Sequence, residues 1–392
     1  MTAKSTRLPP PSPEELAHTA ELEALLRSEI ERDGPVDFAR FMAQALYAPG
    51  LGYYSAGARK LGAGGDFTTA PELGDLFAHG VAHAIAPILR ETAGDVLEPG
   101  AGSGALAADL LLALERHDAL PARYRILEPS ADLRERQRAT IAARAPAHVA
   151  RVEWLDAPPP DAWRGALVAN EVLDALPVRA FQRDTRGVHA RAVEWRDGRF
   201  AWTLRPADAA LAARVETLAR SSIAPWPATY RSEYCAMLPA WIAETTRALE
   251  RGVALFVDYG YARREYYLPE RSEGTLVCHY RHRAHDDPLV LVGLQDITAF
   301  VDFTAVAEAG IAAGLELAAW LSQAQFLFAC GLAERLGATS ELPATERLLL
   351  AQQAKRLTLP GEMGERFQAI AFVRDIDLEL LPFAAFDRSA RL

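Results

Sequence analysis

The segment Val96-Leu97-Glu98-Pro99-Gly100-Ala101-Gly102-Ser103-Gly104 places a G-x-G-x-G loop directly after a short apolar run and before a helical one. Glycines at Gly100, Gly102 and Gly104 let the backbone turn sharply and approach a ligand without Cβ collisions. The N–H groups that open the following helix suit a carboxylate or a phosphate. Glu128, at the end of the next strand, is placed to take both hydroxyls of a ribose, the role of the acidic residue about 20 positions on in dinucleotide-binding loops. Strand, loop, helix and acid together specify a cofactor that contains a nucleoside. Glu98 narrows the choice, because an acid just before the glycines repels a pyrophosphate but favours the sulfonium and α-ammonium of S-adenosylmethionine.

Further acids follow at the ends of later strands. Asp156 closes Trp154-Leu155-Asp156, where a carboxylate accepts from an adenine amino group or, equally, caps a loop. Asn170-Glu171-Val172-Leu173-Asp174-Ala175-Leu176-Pro177 reads as a strand end opening a short helix that stops at the proline. Ligands of open parallel sheets lie outside the strand C-termini, so Asn170 joins the cofactor set, while Glu171 and Asp174 face the transferable methyl. At i and i+3 these two share one helical face. Transfer from a sulfonium needs mainly alignment of a nucleophile about 3–3.5 Å from the methyl carbon. An arginine acceptor adds a demand, since its guanidinium stays protonated with a pKa above about 12. Carboxylates orient that fork and take its proton, which makes Glu171 and Asp174 the catalytic candidates.

A second cluster runs from Asp258-Tyr259 through His279, His282 and His285 to Gln295-Asp296. It reads as a loop in which Asp258, Tyr259, His282, Gln295 and Asp296 bind the substrate, or equally as a structural loop packed on the sheet. With no cysteine partner the histidines do not form a zinc motif, and no metal is expected. Upstream, Gly50, Gly52, Gly57, Gly62, Gly64 and Gly65 precede Asp66-Phe67-Thr68-Thr69. Long glycine-rich loops in compact domains are usually functional, so this one is expected to fold over the sheet edge as a lid, with Asp66, Phe67, Thr68 and Thr69 touching the cofactor.

These side chains need a frame to hold them. Strand-like Asp95–Glu98, Tyr124–Glu128, Val152–Leu155, Ala166–Ala169 and Val253–Asp258 alternate with helix-like Gly104–Leu114 and Leu133–Ala143. That alternation predicts an α/β fold with a doubly wound, mostly parallel sheet. Ser12-Pro13-Glu14-Glu15 caps a helix carrying Leu16, Leu22, Leu25, Leu26 and Ile30. Val188–Leu204, broken at Asp197-Gly198, is a hairpin signal, and Asp208–Arg220 and Glu233–Glu250 read as helices. The expected division is residues 1–90 as a helical segment with the lid, 91–180 with 252–392 as the cofactor domain, and 181–251 as an α+β insertion that binds the acceptor.

The formal charge of −10 argues against a general grip on nucleic acid. Cys235, Cys278 and Cys330 show no C-x-x-C spacing and read as small buried hydrophobes in a reducing compartment. No targeting segment is evident and no apolar run reaches about 18 residues, which implies a cytoplasmic protein without membrane insertion.

Taken in order, Gly65-Asp66-Phe67-Thr68-Thr69-Ala70-Pro71-Glu72, Glu98–Gly104, Glu128-Pro129-Ser130, Asn170–Pro177, Val257-Asp258-Tyr259-Gly260-Tyr261, Gly274-Thr275-Leu276, His282, Asp287-Pro288 and Gln295-Asp296-Ile297-Thr298 resemble the MidA-like methyltransferases. This bacterial and mitochondrial group includes the complex I assembly arginine methyltransferase. The resemblance implies a class I methyltransferase sheet, S-adenosyl-L-methionine as donor, and a protein arginine acceptor such as a respiratory complex I subunit. Two rivals remain in view: a nicotinamide-dependent oxidoreductase, disfavoured by Glu98, and an assembly factor that keeps the methyltransferase shape without essential catalysis.

Overall fold

The computed structural model describes residues 8–55, 69–338 and 342–392. Asp66, Phe67 and Thr68, and with them most of the expected lid, lie outside these residues. The chain divides into two compact units.

One unit comprises Leu238–Tyr261 and Phe303–Leu392 together with the described part of 68–173. Its sheet runs, strand by strand, Glu316–Ser322, Phe367–Arg374, Leu249–Tyr261, Trp163–Asn170, Asp95–Pro99, Tyr124–Leu127, Val152–Leu155. The last five are mutually parallel, while Phe367–Arg374 is antiparallel to both of its neighbours. The doubly wound, mostly parallel α/β expectation therefore holds. Strand order reverses where Asp95–Pro99 meets Trp163–Asn170, with Val96 beside Ala166, and such a reversal opens a crevice at the strand C-termini. Asp95–Pro99 is buried along its whole length, its two acids Asp95 and Glu98 included, as a central parallel strand must be. Helices Leu76–Thr92 and Ala105–Arg116 cover it with Phe77, Val81, Ile85, Leu106, Leu110 and Leu114, all in one apolar core.

The other unit gathers 8–55, Asp174–Met237 and Ala262–Asp302. Helix Pro13–Asp33 opens with the expected capping box, Ser12 and Glu15 each bonding the other's backbone N–H. Gly187–Arg196 and Arg199–Pro206 form the expected hairpin about Asp197-Gly198, both at positive φ as a two-residue turn requires. The boundaries differ from those expected. The N-terminal segment shares a sheet with the supposed insertion, because Val36 and Asp37 pair with Val193 and Ala192. Residues 262–302 also fall in this unit, and helix Leu76–Thr92 belongs with the parallel sheet. Glu233–Glu250 is not one helix: Tyr230–Tyr234 is a strand paired with Arg179–Asp184, with Ser232 and Glu233 buried, and only Leu238–Thr246 is helical. Among the described residues, no helix is long and apolar enough to cross a membrane.

Candidate active site

The glycine loop leaves its strand at the sheet's order reversal. Gly100, Gly102 and Gly104 take φ of 66°, 53° and 84°, a region that side chains resist. Gly104 also has no room for one, since a Cβ there would meet the Cα of Gln137 at 2.9 Å. Helix Ala131–Arg144 is thereby brought against the loop. From it, the fully buried Gln137 donates to Gly102 O (3.1 Å) and to Glu128 Oε2 (3.2 Å), and accepts from Trp154 Nε1 (2.9 Å). Gln137 ties the glycine loop to the ribose acid and to the next strand. Sequence reasoning missed it, because only its place on a helical face marks it.

Glu128 stands where the sequence puts it, at the end of Tyr124–Leu127, its N–H bonded to Leu155 O (3.1 Å). Ser130 N donates to its Oε1 (2.9 Å), and burial pushes the carboxyl upward against the pull of these donors. Asp156 is different: its side chain is 86% exposed and is paired with Arg134. Glu98 is turned inward. It is 3% exposed, Tyr124 Oη donates to it at 2.6 Å, and burial pushes its carboxyl up to about 7. Burial and the Tyr124 hydrogen bond thus set the ionisation of Glu98 close to neutrality.

The Asn170–Leu173 segment corrects the expectation of a helix. Glu171 has φ 53°, the left-handed region, and residues 171–177 form bends and turns. Asp258 holds the segment: its Oδ2 accepts from Val172 N (3.2 Å) and Leu173 N (2.9 Å) while Oδ1 accepts from Tyr259 N (2.9 Å). Asp258 is fully buried and both of its oxygens accept from backbone N–H groups, so it holds this loop. Tyr259 packs its ring on Phe367 at 5.4 Å. The loop in turn meets the cofactor side: a Cβ on Gly100 would lie 3.1 Å from Val172 Cγ2. Glu171 Oε1 accepts from Asn170 Nδ2 and from Ala70 N, each at 3.2 Å, which fixes its carboxyl at the strand's C-terminal end. A left-handed, non-glycine residue so restrained is a frequent mark of a functional position. Thr69 precedes the 3₁₀ turn Ala70–Leu73 and accepts from Glu72 N through its carbonyl (3.0 Å).

The remaining expected residues lie in the other unit. Asp174 is 5% exposed and its carbonyl accepts from Ala299 N (3.0 Å); with no helix at 171–174, the shared helical face with Glu171 disappears. The histidine loop is a small antiparallel sheet of Val277–Tyr280, Arg283–His285 and Asp296–Thr298. His282 sits exposed at its two-residue turn (φ 59°). Gln295 is fully buried and donates to Asp287 O and Val290 O, a structural use that separates it from His282. Asp296 accepts from Tyr54 Oη at 2.9 Å.

The glycine conformations, the restrained Glu128 and the Gln137 bridge fit a nucleoside-bearing methyl donor. A family model described as "Putative S-adenosyl-L-methionine-dependent methyltransferase" matches residues 80–320, more than half of the chain. The chain belongs to this family. It is an S-adenosylmethionine-dependent methyltransferase, as the glycine loop and its acids anticipate. A Burkholderia thailandensis superfamily member solved with S-adenosyl-homocysteine bound is 44% identical, with a TM-score of 0.93 over 98% of this methyltransferase and 100% of that protein. Among curated proteins it is similar to "Protein arginine methyltransferase NDUFAF7, mitochondrial" of Danio rerio, 28% identical over 88% of this chain and 84% of that one. The Homo sapiens protein of that name is 26% identical, over 89% and 82%.

Proposed function

We propose that this methyltransferase modifies an arginine of a protein acceptor, with Glu171 as the group that receives the guanidinium proton. The observation that carries the reading is the placement of Glu171, held at φ 53° with Oε1 fixed by two N–H donors, beside the loop that touches Gly100. The donor, when bound, supplies a methyl activated by its sulfonium. Glu171 accepts hydrogen bonds from the guanidinium, localises its charge and takes a proton as the N–CH₃ bond forms and the S–CH₃ bond breaks. Asp258 positions this group through Val172 N and Leu173 N. Arginine as acceptor is supported by the names of the curated relatives, and a respiratory complex I subunit is the acceptor we propose from the family resemblance. The cytoplasm is the proposed compartment.

Mass spectrometry of proteomes with and without the gene tests this. Loss of methylarginine from a defined protein site is expected, with restoration by the recombinant enzyme and labelled donor. Unchanged methylarginine, with loss of a methyl mark on another residue type or on a small molecule, would overturn the arginine assignment.

A further inference from the structure

The methionine end of the donor carries two charges. Backbone N–H groups at the start of helix Ala105–Arg116 suit its carboxylate, but its α-ammonium calls for an anionic oxygen. Among the described residues, three acids besides the proposed catalytic Glu171 are held at the glycine loop or its flanking strands. Glu98 faces inward to Tyr124 and is 3% exposed. Glu128 is held by Ser130 N and Gln137 Nε2 on the ribose side. The third is Glu72, remote in sequence, which the 3₁₀ turn Ala70–Leu73 carries to the loop, where Ser103 Oγ donates to Glu72 Oε1. Ser103 also accepts from Ala105 N at 3.3 Å, so Glu72 is tied to the first turn of the cofactor helix. The same turn is anchored at its other end by Ala70 N on Glu171. Glu72 is half-buried, unlike the enclosed Glu98.

We propose that Glu72 binds the α-ammonium of S-adenosylmethionine and of its demethylated product. The turn Ala70–Leu73 then serves as one wall of the cofactor site, joined both to the glycine loop and to Glu171. The last residue of the Gly65–Glu72 motif thereby becomes part of the donor's charge recognition.

Calorimetry with two probes tests it: S-adenosylhomocysteine, and its desamino analogue that keeps the carboxylate but lacks the ammonium. Wild-type binding of the first probe is read first, and its absence would overturn the cofactor assignment and this proposal together. Glu72→Gln is expected to weaken S-adenosylhomocysteine about 10- to 100-fold, the scale of one charge-assisted hydrogen bond, and the desamino analogue by less than about threefold. Glu72→Asp keeps the charge on a shorter stem and should fall between Glu72→Gln and the wild type on the first probe. An equal loss on both probes means that Glu72 only shapes the loop. That result, an unchanged affinity, or a larger ammonium-specific loss in Glu98→Gln would each overturn the proposal.

Discussion

Glu171 concentrates the chemistry at the residue scale. Its left-handed backbone is sustained by Asp258 on the following two N–H groups, and its carboxyl is oriented by Asn170 and Ala70. Glu171→Gln keeps the shape and an oxygen for both donors but cannot take a proton. The transfer rate should fall about 10²–10⁴-fold, the usual cost of losing one positioned acid–base group. Affinity for S-adenosylhomocysteine should move by less than about tenfold. Single-turnover transfer beside calorimetry checks this, and an unchanged rate would put the proton elsewhere. At this scale the sequence was most legible where a residue's type alone carries the constraint, as for Gly100, Gly102, Gly104 and Glu128. It was least legible where tertiary placement decides. Asp258 carries the pattern of a ligand-edge acid, yet spends its oxygens on backbone N–H groups. Gln137 has no local signature, and Glu72 closes a family motif that gives it no role; both acquire their partners only when a helix and a 3₁₀ turn pack on the loop.

At the scale of elements, the contact that sets the cofactor loop is the approach of helix Ala131–Arg144 to Gly104. Two substitutions within the same unit separate backbone strain from packing. Gly104→Ala and Gly314→Ala both place a side chain at positive φ, 84° and 78°. The first meets the Gln137 backbone at 2.9 Å, whereas the second has only Arg374 Nη2 at 3.8 Å. Both should lose about 1–2 kcal/mol to the left-handed conformation. Gly104→Ala should lose a further 1–3 kcal/mol or so by forcing the helix outward. It should also weaken S-adenosylhomocysteine by displacing Gln137 from Gly102 and Glu128. Equal losses in urea unfolding, with binding intact, would show that the helix yields without cost. Elements with strong local codes were readable in advance: the capping box at Ser12 and Glu15, the Asp197-Gly198 hairpin and the βα alternation. The helix expected from Glu171 does not form because Glu171 itself takes a left-handed backbone, φ 53°, which a right-handed helix cannot continue through. Strand Tyr230–Tyr234 was missed because its pairing with Arg179–Asp184 spans a long stretch of chain, which no local pattern records.

Across the whole molecule, the distribution of buried acid sets how stability responds to pH. The division into units escaped the sequence for a related reason, since the pairing of Val36 with Val193 joins segments far apart in the chain. Glu98, Glu128 and Glu233 all have carboxyls that burial pushes upward. For Glu98 the move is from 4.5 to about 7. The folded protein thus holds this proton to higher pH than the unfolded chain, so the contribution of Glu98 is most favourable below the unfolded value and declines as pH rises through the window from 4.5 to about 7. Glu98→Gln mimics the protonated carboxyl, can still accept from Tyr124 Oη, and has nothing to ionise. Its stability relative to the wild type should be near zero at the acid end of that window and grow in its favour with pH. Above pH 7 the gain should level off at no more than about 3 kcal/mol, the free-energy equivalent of the shift at 1.36 kcal/mol per pH unit. Other titrating groups are common to both proteins and cancel in the difference. Urea unfolding of the pair at several fixed pH values measures it directly. A difference that does not change with pH, or one that favours the wild type at alkaline pH, would mean that Glu98 is ionised in the folded protein and retains a charge for the cofactor after all.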